Sequence, residues 1–95
     1  MLICRVIGTA VATVKHEQLK NYKLLIVDEM TPDGIVKGEP FVAVDTVGAG
    51  EEEAVLVTKG SAAAAAGVQA RGPIDAAIVG ILDSLAVYGK VVFRK

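Results

Sequence analysis

Four groups of residues in this chain have the types that chemistry uses, and each has a spacing that can be set against a mechanism. Gly48-Ala49-Gly50 offers two glycines of the kind that let a backbone approach a phosphate. A dinucleotide fingerprint needs a third glycine and a helix opening directly behind it. Here Glu51-Glu52-Glu53 follow, and then the strand-like Ala54 to Lys59, "AVLVTK". Carboxylates repel a phosphate, and no helix N-terminus stands behind the glycines to attract one. The glycines therefore read as a tight turn. The glutamates supply hard oxygen donors, but adjacent residues on an extended chain point in opposite directions, and no spaced partners of a calcium loop follow. They read as a solvated acidic loop.

The remaining groups are nucleophiles and acids. His16 sits between Lys15 and Glu17 in a polar loop and is expected to face solvent. Cys4 falls on the apolar side of the first strand, as a small core residue. Gly60-Ser61-Ala62 lacks the second flanking glycine of a nucleophile elbow. Ser61 instead suits the N-cap of a short helix through the alanines, with Gly67 placed to end it. Asp45, Asp75 and Asp83 lie among apolar neighbours, so two of them could be buried and pair, although buried carboxylates are more often held by backbone donors or arginine than used as acids. No nucleophile, base and orienting group can be assembled from this set. The chain is not expected to be an enzyme, and no cofactor or metal is expected.

The elements that position these residues are short strands. Leu2 to Val14 reads as one long strand with apolar or small residues at every even position, and Gly8 inside it suggests a bulge or bend. Tyr22 to Glu29, Phe41 to Thr46, Ala54 to Lys59 and Tyr88 to Arg94 read as further strands, with Ile74 to Leu85 an apolar run before the last. Thr31-Pro32-Asp33-Gly34 is a turn in which proline pre-sets φ at the first central position. Five or six short strands and one small helix predict a closed or nearly closed β-barrel in a single domain spanning residues 1–95.

Bulk properties narrow the function. Of the 95 residues 53% are hydrophobic, mostly valine and alanine, while aromatics make up only 4%. A domain this small cannot hide so much aliphatic surface in its own core, which predicts burial against copies of itself or a partner. A net charge of −1 and few aromatics give no footprint for nucleic acid. One cysteine excludes an internal disulfide framework, and no apolar run approaches the ~18–20 residues of a membrane helix. A cytosolic protein without a signal peptide, and without membrane or nucleic-acid partners, is the expectation.

Three blocks in order carry a family signature: "VIGTAVATVKHEQLKNYKLLIV" (6–27), "VAVDTVGAGEEEAVLVTKGSAA" (42–63) and "PIDAAIVGILD" (73–83). Together they resemble the EutN/CcmL family of pentameric vertex proteins in bacterial microcompartment shells. The resemblance implies an OB-like β-barrel subunit, a homopentamer capping the vertices of a polyhedral shell, and hexameric shell proteins as neighbours. It places the stretch with Asp45, Gly48, Ala49, Gly50, Gly60, Ser61 and Ala64, together with Asp75, at turns and subunit boundaries. Two departures stand out. Glu52 occupies a position where the family usually has glycine, and Ala64 one where it often has arginine. The rival reading is an OB-fold module for single-stranded nucleic acid, which would need a basic groove with stacking aromatics.

Overall fold

The computed structural model describes residues 1–13, 21–60 and 75–95. Within them lie seven strands: β1 (Leu2–Ala10), β2 (Lys23–Glu29), β3 (Phe41–Asp45), β4 (Ala54–Lys59), β5 (Ala76–Ile81), β6 (Ser84–Val87) and β7 (Lys90–Arg94). The first five close into a barrel in the order β1-β2-β3-β5-β4, while β6 and β7 form a separate two-stranded sheet. All barrel pairings are antiparallel except β3 with β5. This is the five-stranded OB-like arrangement, all-β among the described residues. The expected helix from Ser61 to Gly67 lies outside them.

Alternation explains which side chains fill the barrel. Cys4 and Val6 on β1, Leu25 and Val27 on β2, Val55 and Val57 on β4, and Ala76 and Ile78 on β5 stand two residues apart and are all buried in one cluster. Successive side chains on a strand point to opposite faces, so a two-residue spacing puts each pair inside. On the other face, Val44 and Ala77 are buried together, with Tyr22, Leu24 and Val79 packed on them.

Bulges bend this sheet into closure. On β1, Val6 pairs with Val27 but Gly8 pairs with Ile26, which leaves Ile7 as the extra residue. The bulge expected at Gly8 is therefore present one residue earlier, and it corrects the expected alternation. Past Ile7 the phase reverses, so that Thr9 lies opposite core residue Leu25 while Gly8 and Ala10 lie opposite Ile26 and Leu24. An inserted residue flips every following side chain to the other face. β1 also ends at Ala10, short of the expected Val14, which lies outside the described residues. A second bulge breaks the β4–β5 register between Leu56 and Val57.

The Thr31-Pro32-Asp33-Gly34 turn forms as expected: the Gly34 amide donates to the Thr31 carbonyl at 2.9 Å. The C-terminal segment differs from its expectation. Tyr88 does not begin a strand but makes the tip of the β6–β7 hairpin with Gly89, at φ of 52° and 75°. Two successive residues with positive φ match the right-handed twist of the strands they join.

Cys4 is fully buried in the barrel. Burial, with the nearby Glu29 adding, pushes its thiol up to about 11. At pH 8 the folded protein is expected to leave Cys4 unmodified by a thiol-specific reagent, with label appearing only as denaturant unfolds the chain. Rapid labelling under native conditions would show that β1 is not seated as described.

Candidate subunit-interface site

The loop from Asp45 to Glu53 joins β3 to β4 and is held both by its own hydrogen bonds and by bonds to β1 and β5. One Asp45 carboxylate oxygen accepts from the Val47 and Gly48 amides, each at 3.1 Å. That aspartate turn drives the backbone into the left-handed region at Gly48, where φ is 78°. Ala49 then drops into the core and is buried with the barrel cluster. Its methyl group pins the loop, and a larger side chain would not fit the same place. Thr46 adds a hydroxyl donated to the Ile78 carbonyl at 2.7 Å.

The second half of the loop closes the barrel. The Glu52 amide donates to the Val6 carbonyl at 2.8 Å, and the Val6 amide donates to the Glu53 carbonyl at 3.0 Å. Arg5 donates through Nη1 to the Glu52 carbonyl at 2.8 Å. Glu52 reaches this geometry at φ 69°, a conformation that side chains other than glycine rarely adopt. The departure from the usual family glycine noted at this position thus falls on the one strained residue of the loop.

The acidic run is not uniformly solvated, which corrects the expectation for one of its members. Glu51 and Glu52 are exposed, but Glu53 is half-buried and bonded. Its Oε1 accepts from the Gly50 amide at 2.6 Å, and its Oε2 lies 3.1 Å from the Lys95 ammonium. The Gly50 amide, with Lys95 adding, holds the Glu53 carboxyl below the usual carboxylate range. Lys95 lies 42 positions along the chain, so no local pattern reveals this pair. Arg5 is a second residue that the sequence reading passed over. Besides Glu52 it faces the Phe93 ring, 6.0 Å from its centroid. Arg5, Glu53, Leu82, Phe93 and Lys95 line a groove of about 330 Å³ between the loop and the C-terminal hairpin.

The site residues named from the sequence fall into two groups. Asp45, Gly48, Ala49 and Gly50 share the β3–β4 loop. Gly60 and Asp75 meet at the far end of β4, where the Gly60 amide donates to the Asp75 carbonyl at 2.7 Å. The six residues of β4 span roughly 20 Å from the Glu53 end of the loop to Gly60, but Asp45 at the loop's start pairs with Ile78, only three residues from Asp75. Ser61, Ala64 and His16 lie outside the described residues. The expected burial and pairing of aspartates is corrected: Asp75 and Asp83 are exposed, Asp45 is half-buried, and none pairs with another. Asp45 spends its carboxylate on backbone amides, and Asp83 lies 4.0 Å from Lys95. Among the described residues no three His, Cys, Asp or Glu side chains converge in the manner of a metal site.

The family profile described as "Ethanolamine utilisation protein EutN/carboxysome" matches residues 1–83. The chain is 39% identical to the microcompartment shell vertex protein EutN of Escherichia coli K12 over 95 residues, the whole of both chains. Its structure matches that of CcmL from Nostoc sp. PCC 7120 with a TM-score of 0.91 at 38% identity, covering both chains completely. It also matches the GrpN pentameric microcompartment shell protein from Rhodospirillum rubrum, with a TM-score of 0.82 at 46% identity over 92% of this chain and 99% of that one.

Two outcomes follow from the loop geometry. Gly48→Val is expected to destabilise the subunit by about 1–3 kcal/mol, because a β-branched residue is strained at this φ. Glu52→Gly is expected to be neutral or stabilising, since it relieves strain at a cost in unfolded-chain entropy of about 0.4–1 kcal/mol. Gly50 lacks a positive φ, and an added Cβ there would meet only the Glu53 Oε1 at 3.3 Å. Thermal melts that rank Gly50→Val below Gly48→Val in stability would contradict this assignment. The second outcome concerns pH. A carboxyl whose folded pKa is depressed contributes stability that is complete above its unfolded value and is lost as pH falls through the folded one. Melting temperature is expected to fall below about pH 4.5, and Glu53→Gln to flatten that part of the curve. An unchanged acid limb in the variant would remove Glu53 from the account.

Proposed function

The chain belongs to the EutN/CcmL family, and from that premise we propose that five copies close into a ring that caps a vertex of a bacterial microcompartment shell. The observation that carries this reading is the match to a relative described as a pentameric shell protein, at 46% identity and across nearly its whole length. A second relative with that description, the pentameric shell protein MSM0273 from the RMM microcompartment, matches with a TM-score of 0.72.

The surface of the subunit supports the same reading. Val11 is 94% exposed and Ile35 62%, and Val36, Val42 and Val47 are exposed as well. A barrel that leaves so many aliphatic side chains outside gains by covering them against a neighbour. A head-to-tail contact that closes on itself makes a ring rather than a filament. Five-fold rings have a geometric use in a shell, because a flat six-fold layer closes into a polyhedron only where some six-fold positions become five-fold. The neighbours of the ring in that layer are hexameric shell proteins, and its location is the shell of a compartment inside the cytoplasm. Its role is structural rather than catalytic, as the relatives' description as shell vertex proteins supports. The β3–β4 loop from Asp45 to Gly50 and the Gly60–Asp75 contact lie at the subunit boundary in this reading, as do Ser61 and Ala64.

A single-strand-binding role has no comparable support. All eleven acidic residues and only seven of the ten cationic ones lie before Ser84, so the body that contains the barrel carries an excess of negative charge. Such a surface repels a phosphate backbone.

Native mass spectrometry of the purified protein is expected to give a five-subunit mass at micromolar concentration. A stable monomer there would overturn the proposal.

A further inference from the structure

Among the described residues, the β6–β7 hairpin is the part that its own subunit explains least. It shares no sheet with the barrel. Its attachments lie at its base, where Phe93 faces Arg5, Lys95 pairs with Glu53, and the Leu82 amide just before it donates to the Ala54 carbonyl at 2.8 Å. Beyond that base the hairpin is apolar and open. Tyr88 at the tip is 104% exposed and Val91 51%, and Val87 and Val92 are exposed beside them. A two-stranded hairpin alone is at best marginally stable in water, and an uncovered apolar edge is a template for pairing with another chain.

Charge says what that chain is. From Ser84 onward the sequence holds Lys90, Arg94 and Lys95 and no acid, whereas the residues before it hold eleven acids against seven cations. Lys95 is spent on Glu53 of its own subunit, which leaves Lys90 and Arg94 to make the hairpin a basic, apolar arm on an acidic body, and the complementary surface for the arm of one copy is the body of the next.

We propose that the β6–β7 arm docks on the adjacent copy of this chain, with Tyr88, Val91 and Lys90 as its contact residues. The proposal rests on the ring reading above and adds to it the element that joins one subunit to the next. Arms pointing the same way around a ring give each copy one arm offered and one received, which is the head-to-tail contact that closes. Buried tyrosines are among the residues whose truncation weakens interfaces most. Lys90 near the rim acts through longer-range attraction to the neighbour's acids, which salt screens.

The substitution Tyr88→Asn separates the arm's contact from the arm's own fold. It places Asn-Gly at the two positive-φ positions, the pairing that hairpin turns of this type favour most. The hairpin itself is preserved or strengthened while the aromatic contact is lost. Subunit number is measured by native mass spectrometry against protein concentration, with circular dichroism and melting of the same samples. The expected result is a folded Tyr88→Asn subunit whose ring half-dissociates at about tenfold higher concentration than wild type. Lys90→Glu is expected to weaken the ring and to abolish its loosening by added salt. If wild type is a pentamer and both variants hold it as firmly, the arm does not dock on the neighbouring copy and the proposal is overturned. An arm used only against a different shell protein gives that same result. If wild type is itself a monomer, the ring reading fails first, and this proposal with it.

Discussion

The structure depends on β1 being paired along both edges, because only then does the sheet close and leave no open side. β2 covers one edge along most of its length, but β4 reaches the other only from Leu2 to Arg5. The gap is closed at Val6, whose amide and carbonyl both bond to the backbone of Glu52 and Glu53. An acidic loop thus completes the barrel wall. Arg5 ties the same loop from its side chain, and Glu53 carries the connection outward to Lys95. Core, loop and C-terminal hairpin therefore share one seam. The positive φ at Glu52 is tolerated because its amide is bonded to the Val6 carbonyl and its carbonyl to the Arg5 guanidinium.

Closure with only five strands leaves a narrow interior, and the side chains inside are correspondingly small. Among the described residues Leu25 and Ile78 are the largest that are fully buried, followed by Val6, Val27, Val55, Val57 and Cys4. Such a core excludes water well but buries modest apolar area per residue. The aliphatic side chains that do not fit remain on the outside. Among the described residues, barrel diameter thus accounts for the small side chains of the inner face, and the proposed ring would cover the aliphatic ones left outside. The same constraint accounts for Ala49, where a methyl group suffices to fasten the loop.

The barrel strands were legible because a two-residue period survives wherever one face is buried. The bounds of β4 coincide with those read from the sequence, and β2 and β3 differ by one residue at one end. The features that were not legible depend on backbone dihedral angles or on distance along the chain. Which residue of Gly48-Ala49-Gly50 takes the left-handed conformation is decided by the Asp45 carboxylate, and the answer is Gly48. Tyr88 has the propensity of a strand residue, yet the pairing of Leu85 with Phe93 and of Val87 with Lys90 makes it a turn. Its neighbour Gly89 was the available signal. The aspartates looked buried because their sequence neighbours are apolar, but Asp75 and Asp83 flank β5 rather than lying within it, and the ends of a strand reach solvent. The family resemblance carried the proposed ring, which no single residue pattern displays.

One seam of the barrel is much thinner than the others. The parallel contact between β3 and β5 pairs only Val44 with Ala77 and Asp45 with Ile78, reinforced by the two Thr46 bonds to the Ile78 carbonyl. Parallel pairing is also slightly less stable per residue than antiparallel. When the native subunit breathes, it should part here first, splitting the cylinder into an open sheet that keeps β4, β1 and β2 together. Opening there would expose Ala77 and Val44 and leave the loop seam at Val6 intact. The amide protons along this line would then exchange with solvent through local opening, well before those of the antiparallel staves.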